Sequence, residues 1–71
     1  MNNDEMLCII GRNIRDAREA KGLSLRAFAA SIGIDYANLC NIETGKANPK
    51  VSTVLYIGDA LGLSPVELFK E

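Results

Sequence analysis

The sequence predicts an all-α fold built from one domain. No segment of the 71 residues alternates apolar and polar side chains with a period of two, so no sheet is expected. Apolar side chains recur instead at helical spacing in five segments, which Ser, Gly and Pro residues separate. A chain of this length suits a single domain with a modest core. We therefore expect five helices around one hydrophobic core.

The first helix is predicted from about Met6 to Lys21, after a flexible polar lead-in over residues 1–5. The helix has one apolar stripe with charged residues on its other faces, and Gly22 ends it. We expect the folded domain to occupy residues 6–71. The apolar stripe consists of Leu7, Ile10, Ile14 and Ala17.

Residues 25–44 are predicted to form two short helices that cross steeply at Gly33. Ala29 lies four residues before this glycine, where a close helix crossing requires a small side chain. Gly33 supplies the positive φ that ends the first of the two helices. This arrangement is a helix-turn-helix, whose usual partner is duplex DNA. The apolar residues that specify it are Phe28, Ala29, Ile32, Ile34, Leu39 and Ile42.

Capping residues set the boundaries of these two helices. Ser24 caps the helix predicted over residues 25–32, but its capping box is half made, because Ala27 stands where an acid is usual. Asp35 caps the next helix, predicted from Tyr36 to about Thr44. Asp35 is therefore better explained as a cap than as a catalytic group.

A fourth helix is predicted after a loop over residues 46–50. It begins near Val51 or Ser52 and ends at Gly62. Because a glycine inside a helix costs about 1 kcal/mol relative to alanine, we expect Gly58 to mark the close approach of another helix. The residues expected to be buried are Val54, Leu55, Ile57 and Leu61.

The fifth helix has the strongest local signal in the chain. Ser64 is the predicted cap, Pro65 occupies the first helical position, and Glu67 follows the serine by three residues. Leu68 and Phe69 come next, and we expect both to pack on the core.

Composition excludes several classes of protein. With 48% apolar and 24% charged residues and no long apolar run, we expect no membrane span, no signal peptide and a cytoplasmic location. Histidine is absent, and Cys8 and Cys40 are unpatterned, so no metal site, cofactor or disulfide framework is predicted. Without a glycine-rich phosphate loop or a carboxylate pair, we expect no enzyme.

The net charge of −1 is distributed unevenly along the chain. Residues 12–50 carry +3, whereas the first eleven and the last twenty-one residues carry −2 each. This polarisation suits a protein with one DNA-facing side. Segregation of this size also arises by chance in small domains, so by itself it is weak support.

Several motifs follow one another between Ile10 and Phe69. They are the KGLS segment after the first helix, the alanine and glycine of the turn, the IETGK segment with a proline soon after, and the closing LGLSPVELF. Together they resemble the phage lambda repressor and Cro-like helix-turn-helix family, also called the Xre family. The resemblance implies a five-helix lambda-repressor-like DNA-binding domain of a bacterial or phage transcription regulator. It also implies a partly buried ion pair between Arg18 and Glu43.

The candidate base-reading residues lie on the outward face of the third helix. With Leu39 and Ile42 facing inward, the opposite face would enter a major groove. An asparagine pairs with adenine, an alanine contacts a thymine methyl, and a tyrosine stacks or donates to a phosphate. No Arg or Lys lies on this helix, so we expect A/T-containing half-sites. The alternative interpretation of Asn38 and Asn41 is that they are solvated surface residues with no role in base reading. The candidates are Tyr36, Ala37, Asn38, Cys40 and Asn41.

Phosphate contacts are expected from residues that flank this helix. Lys46 is the leading candidate, although Lys46 and Lys50 could also belong to a solvated loop. In the family that the chain resembles, a glutamine that binds phosphate commonly follows the serine cap, and Leu25 stands there instead. The phosphate-binding candidates are Ser24, Arg26, Thr44, Lys46 and Lys50.

A homodimer on an inverted-repeat operator is the expected assembly, because one small module buries only about 600–1,000 Å² on DNA. We expect no ligand-sensing domain, and we place the dimer contact at the loop after Gly45 and at Pro65, Val66 and Phe69. Two alternatives remain: a protein-interaction module, or an antitoxin or restriction controller that still binds DNA.

Overall fold

The computed structural model describes residues 2–71, and within that range the chain is helical with no strand. The helices are α1 (Asn3–Ala20), α2 (Leu25–Ile32), α3 (Tyr36–Glu43), α4 (Val51–Ala60) and α5 (Pro65–Phe69). The predicted all-α fold of five helices is confirmed. In this part of the chain, no helix is both long and apolar enough to cross a membrane.

α1 begins at Asn3, three residues before the predicted start, so residues 3–5 of the expected lead-in are helical. The Asn2 side chain accepts a hydrogen bond from the Glu5 amide at 2.8 Å and caps the helix. Asp4 and Glu5 place negative charge in the first turn, where the helix dipole favours it. The prediction followed the apolar stripe and missed this polar first turn. Met1 lies outside the described residues.

The core contains apolar side chains from every helix and from Leu61, the C-cap residue of α4. Leu55 and Phe69 were expected in this core, but each is 39% exposed, so those two predictions were wrong. Each follows a buried residue, Val54 or Leu68, and neighbouring side chains on a helix point about 100° apart. The core residues are Ile10, Ile14, Phe28, Ala29, Leu39, Ile42, Val54, Ile57, Leu61 and Leu68.

The predicted caps of the later helices are present. Ser24 Oγ accepts from the Ala27 amide at 3.0 Å and caps α2. The capping box of α5 is complete, because Ser64 Oγ accepts from the Glu67 amide at 3.2 Å and the Ser64 amide donates to Glu67 Oε1 at 3.0 Å. Hydrogen bonds from the backbone and side chain of Ser64 lower the pKa of Glu67.

Two glycines permit close helix contacts. A Cβ on Gly58 would lie 2.5 Å from Leu68 Cδ1, so the predicted close approach of another helix is confirmed, and that helix is α5. A Cβ on Gly11 would lie 2.5 Å from the carbonyl oxygens of both Ile42 and Glu43. The backbone of α1 therefore lies directly against the end of α3. This contact fixes the distance between the two helices at that point.

Candidate nucleic-acid interface

The turn between α2 and α3 is built on Gly33, which has φ 70° and ψ 28° as predicted for the end of α2. The amides of Gly33 and Ile34 donate to the carbonyls of Ala30 and Ala29 at 3.4 and 3.0 Å. Asp35 Oδ2 then accepts from the Asn38 amide at 3.2 Å and starts α3. These three hydrogen bonds close the corner between the two helices.

α3 has one buried face and one exposed face. Leu39, Ile42 and Glu43 point into the protein. The five base-reading candidates lie elsewhere on the helix surface, four of them exposed and Cys40 half-buried. None of the five carries a charge. The structure therefore brings Tyr36, Ala37, Asn38, Cys40 and Asn41 together on the outside of a single helix.

The polar side chains of this surface are free to bind a partner. In residues 2–71, the side-chain amides of Asn38 and Asn41 take part in no hydrogen bond. The carbonyl of Asn41, by contrast, accepts from the amides of Lys46 and Ala47 at 2.9 and 3.1 Å. Asn41 therefore anchors the start of the loop that carries Lys46.

The phosphate-binding candidates lie at three places in the chain. Ser24 and Arg26 are at the start of α2, Thr44 and Lys46 follow α3, and Lys50 precedes α4. All five are exposed, and the Thr44 hydroxyl donates to the Cys40 carbonyl at 2.9 Å. Three of them contact α3: Arg26 lies over the Tyr36 ring, the Thr44 hydroxyl donates to Cys40, and the Lys46 amide donates to Asn41.

Leu25, which stands where the resemblance would place a glutamine, is partly buried and packs against the core. Because it packs on the core, Leu25 contributes to stability. Its side chain has no hydrogen-bond donor, so a neighbouring side chain has to bind the phosphate that the glutamine would bind.

A contact between Arg26 and Tyr36 was not anticipated. The Arg26 guanidinium carbon lies 4.4 Å from the centre of the Tyr36 ring, which places the cation over the ring face. Such a contact is worth about 0.5–1 kcal/mol at an exposed site. It joins the first turn of α2 to the first residue of α3. No sequence pattern indicates it, since the pair meets only because of the angle at which the two helices cross.

Arg18 and Glu43 fasten the end of α3 to α1. Arg18 Nε and Nη2 donate to Glu43 Oε2 and Oε1 at 2.8 and 3.0 Å, while Nη1 donates to the Leu23 carbonyl at 2.7 Å. Their side chains are 9% and 4% exposed. The hydrogen bond with Glu43 raises the pKa of Arg18, so the guanidinium remains charged. The pair holds α3 from its buried side and leaves its outer face free.

The residues proposed for dimerisation are only partly brought together. Pro65 and Val66 are exposed at the start of α5. Phe69 lines an apolar groove of about 180 Å³ with Pro49 and Val51, which belong to the segment after Gly45. The groove thus joins Phe69 to that segment, whereas Pro65 and Val66 lie outside it. The other lining residues are Asn3, Met6, Leu7, Ile10, Asn48 and Val54.

A glycine corner between two short helices, the second of which presents an uncharged outer surface and is flanked in the chain by cations, defines a helix-turn-helix of the DNA-binding class. The sequence matches the helix-turn-helix domain family over residues 9–69, which is most of its length. The chain therefore belongs to this family and is a DNA-binding transcriptional regulator. Among residues 2–71, no group of three or more potential ligands could hold a metal ion.

Comparisons with known proteins agree with this assignment. The chain is 36% identical over 64 residues to an uncharacterised HTH-type transcriptional regulator, y4dJ, from Sinorhizobium fredii, covering 90% of this chain and 83% of that protein. It is 33% identical over 61 residues to the regulator PuuR of Escherichia coli, covering 86% of this chain but only 33% of that longer protein.

A solved structure has a similar fold. The restriction-modification controller protein C.AhdI from Aeromonas hydrophila superposes with a TM-score of 0.79 at 35% sequence identity. The match covers 89% of this chain and 96% of that one. The five-helix arrangement is therefore shared over nearly the whole of both proteins.

Proposed function

We propose that this protein binds duplex DNA sequence-specifically as a small bacterial or phage transcriptional regulator, with residues 36–44 in the major groove. The observation that carries the proposal is the outer surface of α3, which is exposed, uncharged and holds two amide side chains without partners within residues 2–71. Its buried side is fixed by the core and by the Arg18–Glu43 pair. A rigidly held helix of this kind suits insertion into a groove.

The base-reading roles follow from side-chain chemistry. Asn41 pairs through its amide with adenine, and Ala37 contacts a thymine methyl. Asn38 and Cys40 contribute further contacts at the same surface. Because α3 carries no Arg or Lys, the preferred half-site contains A/T pairs, and selection from a random DNA pool that returns guanine-centred half-sites would contradict this part.

Phosphate binding supplies most of the affinity and makes it depend on salt. Lys46 is placed beside α3 by the hydrogen bond from its amide to the Asn41 carbonyl. Thr44, Ser24, Arg26 and Lys50 add contacts on either side. The cations among them form no ion pair within residues 2–71, so their charge is available to DNA.

A salt series with two variants tests the proposal. Wild-type protein should bind random duplex weakly and the selected duplex tightly, with affinity for both falling steeply as salt rises. Lys46→Ala should weaken binding to both duplexes and reduce the slope of log Kd against log salt by about 0.9. Asn41→Ala should cost about 1–3 kcal/mol on the selected duplex alone. Gel shifts or fluorescence anisotropy measure these quantities.

Lys70→Ala is the matched control, since it removes one exposed positive charge at the far end of α5. It should leave both affinities nearly unchanged. Binding that is insensitive to salt in the wild type, or equal losses in the Lys46 and Lys70 variants, would contradict the proposal.

Two copies on an inverted repeat form the proposed complex, because one module of this size buries too little surface for tight specific binding. The groove beside Phe69, with exposed Val66 and Pro65 next to it, is the proposed contact between copies. Analytical ultracentrifugation with operator DNA should find two protomers per site. One protomer per site would exclude this assembly.

The remaining parts of the proposal concern what the protein does in the cell. A protein that binds DNA in this way would be found in the cytoplasm, at the nucleoid. The proposed function involves no catalysis, no cofactor and no small-molecule effector domain. The similarity to C.AhdI favours a restriction controller among the DNA-binding alternatives. An antitoxin or a protein-interaction module would be identified by capture of a protein partner that competes with DNA.

A further inference from the structure

We propose that Tyr36 is a positioning residue, which holds the Arg26 guanidinium in place to bind a DNA phosphate, and that it does not read a base. This inference rests on the proposed function. The observation behind it is the placement of the Arg26 guanidinium carbon 4.4 Å from the centre of the Tyr36 ring. The guanidinium of Arg26, a residue of α2, therefore lies against Tyr36, the first residue of α3.

Arg26 lies over the Tyr36 ring while its side chain donates no hydrogen bond within residues 2–71. A guanidinium is planar, and its N–H groups point outward from its edge, so a ring against its face leaves those donors free. Arg18 shows the contrasting case, since Glu43 and the Leu23 carbonyl occupy its Nε, Nη1 and Nη2 groups. Within residues 2–71, Arg26 has no carboxylate within 4.0 Å and no hydrogen bond from its side chain.

The local charges favour an anion as the ligand. Arg26 lies in the first turn of α2, where the helix dipole is positive and no acidic residue is present. Asp35 is the acid at the start of α3, and its carboxylate accepts from the Asn38 amide. A free cation in such a place is unfavourable in the isolated protein and favourable beside a phosphate. An oriented guanidinium binds two phosphate oxygens at once, which a mobile lysine does not.

The Tyr36 ring, rather than its hydroxyl, carries this role. The Tyr36 hydroxyl takes part in no hydrogen bond within the part of the chain described, and the residue is 42% exposed with Arg26 over its ring. Phenylalanine should therefore replace tyrosine without loss, whereas leucine should not. A base-reading hydroxyl predicts the opposite for phenylalanine.

Four variants measured on random and on selected duplex test this inference. Arg26→Ala should reduce the salt slope of binding by about 0.9 on both duplexes. Tyr36→Leu should weaken binding by about 2–5-fold, equally on both, which is the factor that an exposed cation–π contact provides. Tyr36→Phe should bind as the wild type does. The double variant Arg26→Ala/Tyr36→Leu should bind no more weakly than Arg26→Ala alone.

The contrary results are equally definite. A loss in Tyr36→Phe confined to the selected duplex would show that the hydroxyl reads a base. An unchanged salt slope in Arg26→Ala, or additive losses in the double variant, would also overturn the inference while leaving duplex binding intact. Failure of the wild type to bind either duplex would instead overturn the proposed function and this inference with it. Circular dichroism melts confirm that each variant is folded, and Lys70→Ala is the charge control.

Discussion

Replacing Arg18 with methionine should lower the free energy of unfolding by about 3–5 kcal/mol, because it leaves the Glu43 carboxylate buried without its partner. The Leu23 carbonyl also loses its donor. A domain of 71 residues is stable by only about 4–10 kcal/mol in total, so the variant should be marginally folded at best. Urea unfolding followed by circular dichroism measures the change.

Two further variants separate the ion pair from general effects of losing an arginine. Arg15→Met, on an exposed position of the same helix, should change stability little. Arg18→Met/Glu43→Leu should be more stable than Arg18→Met alone, since no buried charge is left unpaired. Equal urea midpoints for wild type and Arg18→Met would show that the pair does not hold α3 to α1.

Gly11→Ala should destabilise the domain by about 1–3 kcal/mol, although alanine is the better helix former. Its Cβ would lie 2.5 Å from the carbonyl oxygens of Ile42 and Glu43, and these are backbone atoms that cannot move without shifting α3. The same shift should weaken binding to DNA. Thermal melts and the affinity for a selected duplex measure the two effects.

Gly58→Ala is the matched control, because it gains the same helix propensity at another buried glycine. Its Cβ would lie 2.5 Å from Leu68 Cδ1, which is a side-chain atom and not part of the backbone of a neighbouring helix, so the cost should be smaller. A Gly11→Ala variant as stable as wild type would mean that α1 and α3 are not held in contact at this point.

Local signals predicted the helices well. Caps and glycines are read directly from residue type, so α2 begins after Ser24 and ends at Gly33 as expected, and α5 follows Ser64. The start of α1 was missed, because the asparagine cap at residue 2 is followed by acids rather than by apolar residues. Such a cap gives a weaker signal than an apolar stripe does.

Burial was harder to predict on apolar helices. α4 carries neighbouring apolar side chains, so its sequence does not indicate which of them face inward. Leu55 on α4 and Phe69 on α5 were assigned to the core together with their neighbours Val54 and Leu68, and the structure buries only the latter two. Which face is buried depends on the neighbouring helices.

The candidate site was predicted as a surface but not in its supporting contacts. The outward residues of α3 follow from the inward positions of Leu39 and Ile42, a pattern that sequence alone provides. Arg18 and Glu43 were paired only through the family resemblance, and nothing local indicated the contact of Gly11 with α3 or of Arg26 with Tyr36. These contacts join residues distant in sequence, and they exist only at one crossing angle.

Contact between DNA and the outer surface of α3 can be measured by titrating ¹⁵N-labelled protein with a selected duplex. The largest shifts should occur at the backbone amides of residues 36–44, the side-chain amides of Asn38 and Asn41, and the amide of Lys46, with little change in α5 away from a dimer contact. Shifts confined to α4 and α5, with the amides of α3 unmoved, would contradict contact with DNA at this surface.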